Sequence, residues 1–240
     1  MVKRTFLTAE WRHVAMLNYV VDPAVLTPHL PKGTELDTHG GRHFVSLVGF
    51  RFLDTRVLGL PALFHRNFEE VNLRFYVRRT VGKESRSGVV FIREMVPLTL
   101  VSEVARLTYN EPYRTVPMQH TLVETNGKLQ SVEYLFGRPR DQCRFALHVE
   151  GAAQEMRPGS DEEFLSERDW GYTSQRDGGT IEYRVEHPRW RVWTDAHWEL
   201  NGPLGEFYDR PFADILSGPP ASASIADGSA VTVHLPKRIA

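Results

Sequence analysis

The chain of 240 residues is 41% hydrophobic and 25% charged with a formal net charge of −1, an ordinary globular composition that can bury a large core. Cys143 is the only cysteine, which excludes an intrachain disulfide and a multi-cysteine metal cluster, and the scattered arginines argue against a nucleic-acid partner. No run reaches the roughly 18 apolar residues of a membrane span or forms a signal peptide, so we expect no membrane partner and a cytoplasmic location.

The first hundred residues predict a short helix followed by three strands. "VDPAVLTPHLP" has Asp22 as N-cap and Pro23 at the first helical position. Residues 42–57 are apolar on both alternations, as in a strand buried on both faces. "EEVNLRFYVRR" (69–79) alternates, and the polar turn "GKESRSG" leads to "VVFIREMV" (89–96). These two runs predict a hairpin.

The middle of the chain predicts a helix and a second hairpin. "PLTLVSEVARLTYN" has helical spacing at Leu100, Val104 and Leu107. Two strand-like runs then flank Asn126-Gly127, a pair favoured by type I′ turns. "QCRFALHVEGAAQEM" continues as another strand.

The last third predicts strands with two short helices. Ser160 is the expected N-cap of a helix in "SDEEFLSERDW", and "FYDRPFADIL" is a second helix. Two strands broken at His187-Pro188 are expected between them, and a hairpin is expected around Asp227-Gly228. With about eight to ten strands and three or four short helices, we predict one domain over residues 1–240, mainly β (α+β), with an antiparallel sheet or barrel and a few peripheral helices.

One strand carries a row of polar side chains. Val71, Leu73, Phe75 and Val77 point one way, whereas Glu70, Asn72, Arg74 and Tyr76, which we call the polar row, point the other way. On a solvated sheet such a row is the outer face of a half-buried strand. Inside a small barrel it would line a ligand cavity. Strand spacing does not decide between these alternatives.

A second row lies in "WRVWTDAHWEL", where one alternation carries acidic and basic groups. An Asp195-His197-Glu199 succession is able to hold a metal or tune a base, but charges on an exposed strand explain it equally well, and we predict no metal. Cys143 alternates with apolar residues, as expected for a buried inert thiol. HExxH, GxSxG, GxGxxG and phosphate-loop motifs are absent from the sequence. We therefore predict no cofactor.

Several blocks of the sequence resemble a known bacterial family. Residues 6–52, "LPALFHRNFEEVNLRFYVRR" and "FLSERDWGYT" are similar to domain of unknown function 2071, also called YqjF-like. That family is distantly similar to acetoacetate decarboxylase. The resemblance implies a cone-like antiparallel β-barrel that encloses a small-molecule cavity, and hence a small-molecule ligand as partner.

The stretch "ARLTYNEPYR" resembles the decarboxylase block that carries a Schiff-base lysine. Arg106 and Pro112 fall on the Arg and Pro of that block, and Tyr113-Arg114 falls on its Lys-Lys pair. Activation of that lysine by a neighbouring cation is an established feature of the decarboxylase. A phenol cannot condense with a ketone, and a guanidinium is a very poor nucleophile. We therefore predict that this chain is not a Schiff-base decarboxylase.

What remains is a set of candidate site residues for acid–base chemistry on an oxo-acid-like or polyketide-like substrate. Tyr113, with a pKa lowered by its cationic neighbour, and Glu70 would transfer protons in a lyase-type or isomerase-type reaction. Arg114 and Arg74 would anchor the ligand, with support from the two remaining predicted binding residues, Arg106 and Asn72. The alternative, in which Tyr113-Arg114 has no functional role, is a turn at the protein surface.

Two other functional hypotheses stay open at this stage. One is a ligand-binding protein that has kept the cavity and lost the chemistry. The other is an interaction scaffold that uses the Trp-rich segment "PRWRVWTDAHW". An enclosed Glu70, Tyr113 and Arg114 cluster would favour a cavity-based function over the scaffold.

Overall fold

The computed structural model describes residues 4–62 and 65–240, apart from the side chains of residues 104–107. Within these ranges the α-helices are α1 (Pro23–Leu26), α2 (Thr99–Tyr109), α3 (Asp161–Ser166) and α4 (Arg210–Leu216), with 3₁₀ turns at Thr27–His29 and Leu204–Glu206. None of the helices in these ranges is long and apolar enough to cross a bilayer.

Strands make up most of the described chain. The first eight are β1 (Thr5–Val21), β2 (Glu35–Leu36), β3 (His43–Val57), β4 (Leu60–Pro61), β5 (Phe68–Val81), β6 (Glu84–Val96), β7 (Tyr113–Thr115) and β8 (Met118–Thr125). The others are β9 (Lys128–Phe136), β10 (Cys143–His148), β11 (Gln154–Glu155), β12 (Trp170–Ser174), β13 (Thr180–Glu186), β14 (Arg191–Trp193), β15 (His197–Asn201), β16 (Ser222–His234) and β17 (Lys237–Arg238).

The strands form a 13-stranded sheet and a separate four-stranded sheet. In the large sheet, β16 pairs with β1, and β3, β5 and β6 follow in antiparallel order. β6 then pairs in parallel with β12, which pairs with β13, and β13 pairs back with β16 at Val185 and Val233. The small sheet has the order β15-β10-β9-β8. The predicted mainly β class is confirmed.

The main core lies between the two sheets. Val71, Leu73, Phe75 and Val77 of β5 belong to the same buried cluster as Tyr134 and Phe145 of the small sheet. Gly49 of β3 is required there, because a Cβ at this position would lie 2.7 Å from the ring of Tyr134. β3 is buried on both faces over most of its length, as predicted.

Local signals placed several elements correctly. Asp22 caps α1 by accepting a hydrogen bond from the Ala24 N–H at 2.8 Å, and Ser160 caps α3. Asn126 and Gly127 have φ values of 53° and 72°, the left-handed conformation that a type I′ turn needs. α2 ends where Asn110 adopts φ 56°.

Several predictions of local structure were wrong. The segment 84–88 is strand rather than turn, so that the β5–β6 turn is Gly82-Lys83 alone. The segment after His187-Pro188 breaks again at Asp195, where φ is 54°. β14 therefore joins the large sheet and β15 the small one, so the predicted single charged face does not form. Many two-residue and three-residue pairings also raise the strand count above the eight to ten expected.

The predicted hairpin at Asp227-Gly228 is replaced by one continuous strand, β16. Gly228 has φ 81°, and its backbone passes so close to β1 that an added Cβ would lie 2.1 Å from the Trp11 carbonyl oxygen. The glycine therefore permits a close approach of the paired strands β1 and β16 rather than a turn.

Gly228→Ala is expected to lower the free energy of unfolding by roughly 2 kcal/mol or more beyond the loss caused by Gly33→Ala. Both glycines have φ 81°, but nothing lies within 4 Å of a Cβ at Gly33. The pair therefore separates backbone strain from steric contact. Denaturant unfolding measures both losses of stability, and equal losses would contradict the interpretation that Gly228 is needed for the close approach of β1 and β16.

Candidate functional site

A cavity of about 400 Å³ lies on the polar-row side of β5. Its walls are mostly apolar and rich in aromatic side chains, which include Trp11, Phe50, Phe52, Phe68, Phe91, Trp170 and Trp190. Glu70, Asn72 and Arg74 line it, so three members of the polar row face an interior space rather than solvent. Tyr76 is buried beside them and its hydroxyl lies 2.6 Å from the Ser46 Oγ.

Glu70 sits at the centre of the polar wall and is only 2% exposed. Its Oε1 accepts a hydrogen bond from the Asn72 side-chain amide at 2.9 Å, and its Oε2 accepts one from the Tyr113 hydroxyl at 3.0 Å. Burial raises the pKa of Glu70 to about 7, although these hydrogen bonds and the Arg74 charge oppose the rise. The carboxyl group is thus able to give or accept a proton near neutral pH.

Tyr113 reaches Glu70 because β7 pairs in parallel with β6 and places Tyr113 opposite Glu94. Burial and the neighbouring carboxyl groups of Glu70 and Glu94 raise the pKa of Tyr113 well above its ordinary value of 10. The predicted lowering of this pKa by Arg114 was therefore wrong. Tyr113 is a neutral hydrogen-bond donor.

Arg114 does not join Glu70 and Tyr113. Successive strand residues point to opposite faces, so Arg114 is exposed and donates to the Glu206 carbonyl oxygen at 2.6 Å. Its guanidinium carbon also lies 5.3 Å from the centre of the Phe207 ring. The predicted role of Arg114 as a ligand anchor has no geometric support.

The other two predicted arginines have different outcomes. Arg74 lines the cavity, donates from Nη2 to the Leu165 carbonyl oxygen at 3.1 Å, and acts electrostatically on Glu70. Its Nε is buried with no hydrogen-bond partner among the described residues. The side chain of Arg106 lies outside the described part of the structure.

Two further buried carboxyl groups, Glu94 and Glu111, line the same cavity and were missed from the sequence. They are 3% and 5% exposed. The Oε1 of Glu111 accepts hydrogen bonds from the Thr173 hydroxyl and, at 2.8 Å, from the Tyr183 hydroxyl. In each carboxyl group the Oε2 is buried and has no partner among the described residues.

Burial and mutual repulsion make these acids hold their protons. Burial raises the pKa of Glu111 to about 8, and its two hydroxyl donors oppose that rise. The pKa of Glu94 is raised well above its ordinary value by burial and by the negative charges of Glu111 and Glu70. Hydrogen bonding to Tyr113 only partly offsets this. Ionisation of one of these carboxyl groups therefore opposes ionisation of its neighbours.

A β-bulge explains why Glu94 was missed. The β5–β6 register pairs Arg74 with Phe91 but Leu73 with Arg93, so one extra residue sits in β6. Without the bulge, Arg93 would lie opposite Asn72. With it, Glu94 takes that place and faces the cavity. Glu111 lies inside "ARLTYNEPYR" itself. The sequence signal that could have identified it was its place directly after Asn110, the residue that ends α2.

The Trp-rich segment is not an exposed surface throughout. Trp190 is only 3% exposed, lines the cavity, and donates from Nε1 to the Ser229 Oγ at 2.8 Å.

The described residues include no group of three or more His, Cys, Asp or Glu side chains arranged to hold a metal ion. Cys143 is buried as predicted, and burial raises the pKa of its thiol to about 12.

Comparison with known proteins establishes the family. The model for domain of unknown function 2071, described as an uncharacterized conserved protein, matches residues 8–229. The chain belongs to this family. The uncharacterized protein YqjF of Bacillus subtilis (strain 168) is 29% identical over 133 residues, which are 55% of this chain and 51% of YqjF. The chain thus spans about half the length of this curated relative.

Solved structures with the same fold include two kinds of enzyme. Acetoacetate decarboxylase from Legionella pneumophila matches with a TM-score of 0.66 and 14% identity, over 98% of this chain and 87% of that chain. The enduracididine biosynthesis enzyme MppR matches with a TM-score of 0.70 and 13% identity, over 100% of this chain and 89% of that chain. At these identities the likeness establishes the fold alone, and the acetoacetate-decarboxylase-like fold predicted for the family is confirmed.

Glu94→Gln is expected to stabilise the protein more at pH 8 than at pH 5. Because the native pKa of Glu94 is raised above the ordinary value of 4.5, the folded state holds this proton more tightly, and wild-type stability falls as pH rises above that value. Glutamine removes this loss, and we expect Tm to rise by roughly 3 °C or more at pH 8 but by about 1 °C or less at pH 5.

Thermal melts at the two pH values test this expectation, with Glu155→Gln as the control because Glu155 is exposed on β11. The control should show no such difference between pH 5 and pH 8. An equal Tm gain for Glu94→Gln at both pH values would rule out an unfavourable buried charge.

Proposed function

We propose that this protein binds a small carbonyl compound in the cavity and catalyses proton transfer on it without a cofactor. The observation that carries the proposal is the contact of Glu70 with Tyr113 on a cavity wall that also holds Glu94 and Glu111. A carboxyl group with a pKa of about 7 is a base near neutral pH. Its neighbours, which keep their protons, supply acids.

The chemistry differs from that of a Schiff-base enzyme. No lysine is among the described residues that line the cavity, so the cavity supplies no amine for an imine. Proton transfer next to a carbonyl group needs only a base and a hydrogen-bond donor for the oxygen. Glu70 and Tyr113 provide that pair at a distance of 3.0 Å.

The fold neighbours support a ligand in this space. One MppR structure is complexed with pyruvate, and it matches with a TM-score of 0.65 and 12% identity over 92% of its chain.

We further propose that the large sheet closes into a barrel around the cavity, because its strands pair in sequence from β16 through β1, β3, β5, β6 and β12 to β13, which pairs back with β16. We keep residues 1–240 as one domain.

Thermal-shift measurements against oxo acids, diketones and simple ketones test ligand binding. A ligand that binds the native state raises Tm by mass action. The shift should be lost in Val48→Trp, which fills the cavity, and kept in Arg114→Ala, whose side chain lies outside it. If the shift were lost in Arg114→Ala but kept in Val48→Trp, the ligand would not bind in this cavity.

The same experiment separates an enzyme from a binding protein. A compound that raises Tm is incubated in D₂O, and exchange of the hydrogens next to its carbonyl is followed by NMR. Exchange above the buffer rate that disappears in Glu70→Gln supports the enzyme. Binding without exchange identifies a ligand-binding protein that has the cavity alone.

The exchange rate is expected to rise with pH around pH 7, because Glu70 acts as a base only after it loses its proton. Arg74→Met removes a positive charge that lowers the pKa of Glu70, so the midpoint of the pH–rate profile should move to higher pH. A profile that is flat between pH 6 and pH 8 would exclude Glu70 as the base.

A further inference from the structure

The three buried acids of the cavity, Glu70, Glu94 and Glu111, do not accept the same number of hydrogen bonds. Glu70 receives the Asn72 amide and the Tyr113 hydroxyl, and Glu111 receives the Thr173 and Tyr183 hydroxyls. Tyr113 lies close enough to Glu94 to lower its pKa, but the single hydroxyl proton of Tyr113 is directed to Glu70. Glu94 therefore has the weakest support for a negative charge.

The charges around the cavity also discriminate between ligands. Arg168 lines the cavity, but its Nη1 donates to the Asp37 carboxylate at 2.6 Å, so its charge is matched. Arg74 is the cation that acts on Glu70, and Arg114 lies outside. A ligand carboxylate beside the acids would bring a further negative charge into a buried space that already disfavours three.

The apolar walls favour a ligand that is apolar apart from its carbonyl group. Aromatic side chains from β1, β3, β6 and the segment before β14 surround the space, among them Trp11, Phe50, Phe91 and Trp190. Such walls stabilise a flat or aliphatic body by excluding water from it. Glu94 and Glu111 line this space, and their buried Oε2 atoms, like the Nε of Arg74, have no hydrogen-bond partner among the described residues.

We propose that the cavity enolises an uncharged, largely apolar ketone, with Glu70 as the base and the neutral carboxyl group of Glu94, together with Tyr113, as donors to the carbonyl oxygen. This proposal rests on the proposed function and names its substrate class. It replaces the oxo-acid-like substrate expected from the sequence by an uncharged one of the polyketide-like kind.

The step balances without a co-reactant. The C–H bond next to the carbonyl breaks, its proton goes to the Glu70 carboxylate, and its electron pair forms the carbon–carbon double bond as the carbonyl π electrons move to oxygen. Negative charge thus leaves Glu70 and appears on the ligand oxygen. Tyr113 no longer faces a charged Glu70 and is free to donate to the enolate, beside the proton on Glu94. Return of the proton completes the exchange.

Matched pairs of compounds test the substrate class. The probes are 4-phenylbutan-2-one with 2-oxo-4-phenylbutanoate, and pentan-2-one with 2-oxopentanoate, in which a carboxylate replaces a methyl group. NMR in D₂O measures exchange next to the carbonyl, with Arg114→Ala as a control outside the cavity. We expect the ketone of at least one pair to exchange at least tenfold faster than its oxo acid.

Variants test the assigned roles on the same ketone. Glu70→Gln should lower exchange at least 100-fold. Glu94→Gln keeps a neutral donor and should lower it less than tenfold, whereas Glu94→Leu removes the donor and should lower it at least 100-fold. Thermal melts of each variant confirm that it is folded.

The outcomes distinguish this inference from the function on which it rests. Faster exchange of the oxo acids would overturn the neutral-ketone class but leave proton transfer standing. A loss in Glu94→Gln as large as in Glu70→Gln would overturn the neutral role of Glu94. Exchange of neither member of either pair, with none by the carbonyl compounds that raise Tm, would overturn both proposals.

Discussion

The burial of three carboxyl groups in one cavity, together with the repulsion that acts on Glu94 and Glu111, is the constraint on which the rest of the site depends. Glu70, Glu94 and Glu111 share one cavity and are each at most 5% exposed. Glu70 and Glu111 each accept two side-chain hydrogen bonds, and only Glu70 lies in the field of Arg74, so the proton affinities of the three groups differ. Under the proposed function, one base and two protonated acids would already be in place in an apolar cavity before a ligand binds.

That arrangement is possible because β5 has two different buried faces. One face contributes Val71 and Leu73 to the core shared with the small sheet, and the other contributes Glu70 and Asn72 to the cavity. The apolar face anchors the strand against the small sheet. The polar face can then carry groups that oppose folding, since the packing on the other side offsets their cost.

Sequence patterns predicted the fold better than the site. The Asn126-Gly127 turn, the Asp22 and Ser160 caps and the alternation of β5 are local features, and the structure has them all. Which face of β5 lies inside depends on the remaining strands, so local alternation left it open. The β6 bulge that turns Glu94 inward and the β6–β7 pairing that makes Tyr113–Thr115 a strand arise from tertiary contacts. The sequence alone did not show either of them, and only as part of a strand must Tyr113 and Arg114 point to opposite faces.

Helix α2 connects apolar residues of the cavity wall to the polar residues Glu111 and Tyr113. Leu100 and Val101 near the start of α2 line the cavity, and Glu111 and Tyr113 follow the same helix through the turn at Asn110. A bulky ligand that pushed this helix outward would carry both side chains with it. Such a shift would lengthen the hydrogen bond from Tyr113 to Glu70, which is one of the contacts that lower the pKa of Glu70.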